Sequence, residues 1–290
     1  MDRLYLVVPC YNEEEVLPET VRRLTDKLRR MEEKGLVSGD SRILLVDDGS
    51  RDRTWELICG FHQENPTVSG LKLSRNRGHQ NALVAGLLTA RELCDITISL
   101  DADLQDDIEV LDQFVEEYHK GAQIVYGVRS ARDTDTAFKR STAMGFYGLM
   151  KKMGVDIVSN HADYRLMSKK ALDCFSGYHE VNLFLRGIVP LIGFSTAVVT
   201  YERSERFAGE SKYPLKKMLS FAWDGITSFS TKPLSLITGV GVGLGFLSGL
   251  GFLAALICLC CKVAVAGWVW VLISVWLALG IQLVALGLVG

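Results

Sequence analysis

Charge stops almost completely at position 232 of this 290-residue chain. From Pro233 to Gly290 the single charged side chain is Lys262, so all 34 acidic and 31 of the 32 basic residues lie before Pro233. A water-exposed domain cannot absorb such a stretch as ordinary surface helices, because soluble helices of that length keep a polar face. A helix crosses a bilayer with about 20 apolar residues. Leu234–Cys261 and Val263–Gly290 each exceed that, and Lys262, Ala266 and Gly267 mark a tight connection. The pattern predicts three parts: a catalytic-sized domain over 1–212, an amphipathic juxtamembrane segment over 213–232 and a two-helix transmembrane hairpin over 233–290. The formal net charge of −2 says little by itself, and no nucleic-acid partner is expected.

The flanking cations give an orientation. Lys212, Lys216, Lys217 and Lys232 precede the first span, and only Lys262 lies between the spans. The positive-inside rule then places the large domain in the cytoplasm, on a multi-pass protein of the inner membrane. Met1–Asn12 holds a short strand-like run rather than a long apolar core, so no signal peptide is expected. The seven cysteines fit a reducing compartment. Cys10, Cys59, Cys94 and Cys174 lack metal-ligand spacing, and Cys258, Cys260 and Cys261 lie in the first span, as lipid-facing packing or a palmitoylation site.

The first part alternates short apolar runs with helical stretches. Leu4–Val8, Ile43–Val46, Gly70–Leu73, Ile96–Leu100 and Ile124–Val128 read as buried parallel strands. Glu13–Met31, Thr54–Gln63, Gln80–Arg91 and Ile108–Lys120 read as the intervening helices. Such alternation predicts a right-handed α/β sheet, with ligands beyond the carboxyl ends of its strands. Farther on, Asp163–Ser168 and Ala197–Tyr201 read as strands and Val181–Leu191 as a helix. Pro214–Thr231 carries apolar residues at helical spacing beside Trp223 and several lysines, the composition of a helix lying on a lipid surface or packed on the domain.

The strand ends carry the chemistry. Pro9-Cys10-Tyr11-Asn12-Glu13 is not a glycine-rich phosphate loop, and its carboxylate would repel a pyrophosphate. Asn12 and Glu15 have capping-box spacing. Asp47-Asp48-Gly49-Ser50 sets two carboxylates at a second strand end, either to accept hydrogen bonds from a ribose or base, or as a turn in which Ser50 or Asp52 caps the next helix. Asp101-Ala102-Asp103-Leu104-Gln105 follows a buried strand. If the chain stays extended, Asp101, Asp103 and Gln105 share one side. Three oxygen ligands suit Mg2+ or Mn2+, which would neutralise a leaving diphosphate. Arg129, Lys139, Arg140, Arg206 and Lys212 lie where phosphates could be held.

These motifs, with Asn160-His161-Ala162-Asp163-Tyr164-Arg165 and Arg206–Pro214, resemble glycosyltransferase family 2 of the GT-A fold. The match is to polyprenyl-phosphate glycosyltransferases, which include dolichol-phosphate mannose synthases, and most nearly to bactoprenol glucosyltransferases. It covers nearly the whole chain. The resemblance implies an inverting, metal-dependent transfer of a hexose from a nucleotide-sugar, UDP-glucose by branch, to undecaprenyl or another polyprenyl phosphate. It places the nucleotide-sugar on Pro9, Tyr11, Asn12, Glu13, Asp48 and Ala102, with Arg206 and Lys212 on its phosphates. It places the metal on Asp101, Asp103 and Gln105, the acceptor phosphate on Arg129, Lys139 and Arg140, and Asp163 beside the reacting sugar. The lipid bilayer is an implied partner, and a homo-oligomer, dimer or tetramer, is an open one. Mannose synthases carry Ser-Gly-Phe-Arg where this chain has Ala162-Asp163-Tyr164-Arg165. The family continues past the second span with a short basic tail, so truncation at Gly290 is expected.

Several other readings stand beside this one. UDP-N-acetylglucosamine or GDP-mannose are alternative donors. A processive polysaccharide synthase shares the strand-end motifs but carries Gln-x-x-Arg-Trp, and none of the five tryptophans here follows an arginine. A nucleotidyltransferase needs a Gly- and Lys-rich loop after its first strand, absent here. A membrane scaffold or flippase subunit would need a pathway that two spans with one charge do not provide.

Overall fold

The computed structural model describes residues 1–130, 161–178, 185–202 and 232–289. Contacts divide these into an α/β unit, made of the first three stretches, and a helical hairpin, made of the fourth. The α/β unit runs β1 (Leu4–Cys10), α1 (Leu17–Glu33), β2 (Arg42–Asp47), α2 (Thr54–Glu64), β3 (Val68–Lys72), α3 (His79–Arg91) and β4 (Ile96–Ser99). A 3-10 turn (Ile108–Val110) leads into α4 (Leu111–His119), β5 (Ile124–Arg129), β6 (His161–Ser168), α5 (Lys169–Phe175), α6 (Leu185–Leu191) and β7 (Thr196–Tyr201). The seven strands form one sheet in the order β3-β2-β1-β4-β6-β5-β7.

The apolar runs explain the centre of the sheet. β1, β2 and β4 are buried on both faces, as parallel strands under helices must be. On one face Leu4, Leu6 and Val8 join Leu17, Leu24 and Leu28 of α1 and Phe114 of α4 in a single core. Each such side chain contributes about 1.5–3 kcal/mol by leaving water. On the other face α3 comes so close at Gly86 that a Cβ there would lie 2.5 Å from Val7 and 2.7 Å from Val46. No larger residue fits between that helix and the sheet.

The expected alternation holds with corrections. Val68–Lys72 forms the strand expected at Gly70–Leu73, but it is an edge strand with alternating exposure rather than a buried one. Ile124–Val128 runs in the expected direction, but β6 lies between it and β4, antiparallel to both. Its parallel neighbour is β7. Helix α1 begins at Leu17, with Pro18 in its first turn and no side-chain cap, so the Asn12–Glu15 capping box is not formed. Only Leu185–Leu191 of the helix expected at Val181–Leu191, and none of the amphipathic stretch Pro214–Thr231, falls in the described residues.

The hairpin consists of α7 (Lys232–Cys260) and α8 (Gly267–Val289). At 1.5 Å per residue these are about 43 and 34 Å long. Both are long and apolar enough to cross a membrane. Their outward faces are apolar and exposed, with Phe246, Leu250, Trp268 and Val275 among them. Small residues make the seam: a Cβ on Gly241 would sit 2.8 Å from the Gly280 carbonyl, and the Ser248 hydroxyl donates to the Ile273 carbonyl at 2.8 Å. This is the packing expected where lipid, not water, surrounds a helix pair.

Candidate active site

Among the described residues, one edge of the sheet collects the chemically suggestive segments. Parallel β1, β2 and β4 end there, antiparallel β6 begins there, and β5 and β7 end there too. Extending the β4–β6 register past Ser99–Arg165 brings Asp101 opposite Asp163. The Ser99 hydroxyl donates to the Asp163 carbonyl, which ties the two strands where they enter the site.

The first two loops are bolted to each other. Asn12 has a φ of 53°. Its amide donates to the Ser50 hydroxyl at 3.0 Å, and its side-chain carbonyl accepts the Arg51 amide at 2.9 Å. The Glu13 amide donates to the Thr54 hydroxyl at 2.9 Å, and the Asp52 carboxylate accepts the amides of Glu14 and Thr54. These tertiary partners replace the local cap. Pro9 is buried in β1, whereas the Tyr11 ring is exposed at the mouth. Burial pushes the Cys10 thiol far up, so it is no nucleophile.

Asp48 is buried, and its carboxylate accepts the Arg77 amide at 2.6 Å and the Gly78 amide at 2.9 Å. It therefore clamps the loop entering α3. Gly49 makes that clamp possible: its φ is 68°, and a Cβ there would lie 2.6 Å from the backbone of Arg75 and Asn76. Asp47 is fully buried; one oxygen accepts the Ser50 amide, and the other has no hydrogen-bond partner among the described residues.

The clamped loop delivers a residue that sequence reasoning missed. His79, the first residue of α3, sets Nε2 3.6 Å from Asp101 Oδ1 and 3.5 Å from Asp163 Oδ2. Arg165 holds the other Asp163 oxygen at 2.8 Å. The Asp101 carboxyl is pushed up to about 6, first by burial and then by Asp106, Asp163 and Asp103, with His79 opposing. Segment 101–105 is not extended, contrary to the alternation argument: β4 ends at Ser99 and Leu104 has a φ of 56°. The turn buries Asp103, whose Oδ1 accepts the Gln105 amide at 3.2 Å, and aims the Ala102 carbonyl at the Thr20 hydroxyl, 2.7 Å away. Among the described residues no three His, Cys, Asp or Glu side chains form a ready metal cluster.

Arg129 reaches the same edge at the end of β5, where it meets Asp106 and Tyr201. Asp106 is a second residue that sequence reasoning missed. Lys139, Arg140, Arg206 and Lys212 lie outside the described residues.

The sequence matches the family described as Glycosyl transferase family 2 over residues 5–175, the span that builds β1 through α5. The chain is a family 2 glycosyltransferase. Its GT-A fold is the mixed sheet described above. The glycosyltransferase is 54% identical over 287 residues to an uncharacterized glycosyltransferase, YkoT, of Bacillus subtilis, covering 99% of this chain and 85% of that protein. It is 39% identical to a prophage bactoprenol glucosyl transferase homolog of Escherichia coli, over 83% of this chain and 76% of that one. It is 40% identical to the bactoprenol glucosyl transferase of Shigella phage SfV, over 83% of this chain and 76% of that one.

Proposed function

We propose that this glycosyltransferase moves a hexose, glucose from UDP-glucose, onto undecaprenyl or another polyprenyl phosphate at the cytoplasmic face of the inner membrane. The observation that carries the reading is the pair of carboxylates, Asp101 and Asp163, that His79 bridges at the ligand edge of the sheet. Two features support the lipid acceptor: relatives named as bactoprenol glucosyl transferases, and two helices long and apolar enough to cross a bilayer.

The residues present fit Mg2+ or Mn2+. Burial first, and then the nearby Asp106, Asp163 and Asp103 carboxylates, push the Asp101 carboxyl up against the opposing His79, and a hard dication would offset that negative charge. Such ions take one or two carboxylates and complete their shell with phosphates and water. Asp101, Asp103 and Gln105 would hold the ion, which when bound stabilises the leaving diphosphate as a Lewis acid. Pro9, Tyr11, Asn12, Glu13, Asp48 and Ala102 form the nucleoside pocket, with Asp48 acting through the loop it clamps. Arg206 and Lys212 take donor phosphates, and Arg129, Lys139 and Arg140 take the acceptor phosphate.

A phosphate monoester has its second pKa near about 6, so the acceptor oxygen arrives ionised at neutral pH. It attacks the anomeric carbon in line as the nucleotide diphosphate leaves, in one displacement with inversion. No strong base is needed. The protein's work is to align two anions and hold the sugar. Asp163, fixed by Arg165 and faced by His79, orients a sugar hydroxyl. Thermal-shift titration tests the donor and metal assignments: UDP with Mn2+ should stabilise the chain, and Asp103→Asn should lose that metal-dependent gain while still folding. Preference for GDP, or undiminished stabilisation in excess EDTA, overturns them.

A further inference from the structure

Asp106, Tyr201 and Arg129 come from three segments and close on one another at the rung where β5 and β7 reach the active-site edge. Asp106 Oδ1 accepts the Tyr201 hydroxyl at 2.6 Å and lies 3.5 Å from Arg129 Nη2. Arg129 Nε donates to the same Tyr201 oxygen at 3.2 Å. Arg129 and Tyr201 are paired across the β5–β7 ladder, and the Ser130 amide and hydroxyl both donate to the Tyr201 carbonyl. The Tyr201 ring packs edge-on against Tyr164 at 5.2 Å, and the Tyr164 hydroxyl donates to the Asp107 carbonyl at 2.9 Å. Two tyrosines thus fasten the 101–107 loop to the far half of the sheet.

The hydrogen bonds are directional. A phenol has one hydrogen, and Tyr201 gives it to Asp106 while accepting from Arg129. A guanidinium is a rigid fork of five N–H groups. Arg129 spends Nε and one side of Nη2 on this unit; among the described residues Nη1 has no hydrogen-bond partner. The Asp106 side chain is 3% exposed and that of Arg129 is 29% exposed, so the carboxylate is sealed and the guanidinium opens outward. The second Asp106 oxygen is buried without a hydrogen-bond partner among the described residues. An amide would suffice to accept from Tyr201. A buried charge with one oxygen unused is explained by what it does to the cation beside it.

We propose that Asp106, directly and through Tyr201, is the positioning residue for Arg129. It fixes the guanidinium so that Nη1 and the free side of Nη2 face the acceptor phosphate. The inference rests on the assignment of Arg129 to that phosphate under the proposed function. Losing a hydrogen bond to a charged group weakens a step by about 10- to 100-fold.

Steady-state transfer by the full-length chain, with donor and polyprenyl phosphate varied separately, tests it. Asp106→Asn and Tyr201→Phe should each raise the acceptor KM by about tenfold or more, while in Tyr201→Phe the donor KM and stabilisation by UDP stay unchanged. Combining Asp106→Asn with Arg129→Ala should be no worse than Arg129→Ala alone. If Asp106→Asn does not fold, Tyr201→Phe decides, since it keeps the ring packing. A normal acceptor KM in Tyr201→Phe, or additive losses in the double variant, overturns the inference while the Arg129 assignment stands. A normal acceptor KM in Arg129→Ala removes that assignment itself, and the inference with it.

Discussion

Replacing Gly49 by alanine should damage stability and catalysis together, through one loop. The backbone at Gly49 is left-handed, which costs an L-residue about 1–2 kcal/mol. The new Cβ would lie 2.6 Å from the carbonyl carbon of Arg75 and the amide nitrogen of Asn76, where ordinary contact begins at 3.4 Å. The 75–76 backbone must therefore retreat by roughly 0.8 Å, because backbone, unlike a side-chain tip, cannot swing aside. Asp48 holds the next two amides at 2.6 and 2.9 Å, bonds that do not survive such a shift intact. Hydrogen bonds to a charged group contribute about 1.5–3 kcal/mol each, so losing one and adding the strain gives roughly 2.5–5 kcal/mol. The same shift carries His79 away from Asp101 and Asp163. Misplacement of about 1 Å costs about 100-fold in rate. Melting and transfer assays on the purified chain should show both losses. Gly60→Ala is the control: Gly60 lies inside α2 with nothing within 4 Å, so alanine there should be neutral or stabilise by up to about 1 kcal/mol. Wild-type melting and turnover in Gly49→Ala would refute the reasoning.

Three further outcomes follow from other parts of the molecule. Lys27 is buried between Asp112 at 2.9 Å and Glu109 at 3.1 Å, so Asp112→Ala should cost about 3 kcal/mol in denaturant unfolding, the low end for uncovering a buried charge. Hydrogen bonds from Arg30 and Lys27 hold the Glu109 carboxyl below 4.5, and burial of Asp112 is outweighed by bonds from Lys34 and Lys27, which hold it below 3.8. Folded carboxylates with depressed pKa values stabilise above the ordinary values and lose that contribution as pH falls beneath them. The melting midpoint should therefore drop in acid below about 4.5, and less steeply in Asp112→Ala. Removing residues 233–290 should leave UDP binding intact but slow transfer to long polyprenyl phosphates by at least about tenfold, since lifting the lipid from a bilayer exposes methylenes at about 0.8 kcal/mol each. Equal rates with and without the hairpin would assign it another purpose.

The frame of the site was legible because it is written in local patterns. Apolar runs of four or five residues gave β1, β2 and β4, and the carboxyl-edge rule pointed from there to Asp48, Asp101 and Asp103. What stayed hidden depends on pairing over long stretches of chain. β6 slides between β4 and β5 from beyond position 160, and only that register sets Asp163 opposite Asp101. His79 lies just outside the helix expected at Gln80–Arg91 and carried no motif of its own. Its signal was available, because the loop after β3 opens on the same edge and Gly78, with a φ of 88°, breaks the chain there. Asp106 was passed over because Asp101–Gln105 was taken as extended, whereas Leu104 turns the chain and buries the next acidic side chain. Asn12 and Glu15 matched a capping box in spacing, but the Arg51 amide offers Asn12 a tertiary partner instead.

The central claim is that a nucleotide-activated hexose ends on a lipid phosphate. The purified full-length chain, given radiolabelled UDP-glucose, Mn2+ and undecaprenyl phosphate in detergent, tests this directly by partition between water and an organic solvent. The account predicts that label moves into the organic phase only when the lipid phosphate is present, and that Asp103→Asn and excess EDTA each stop it. Label that stays in water with every UDP-sugar tried, or that reaches the organic phase equally well in the Asp103→Asn chain, would contradict it.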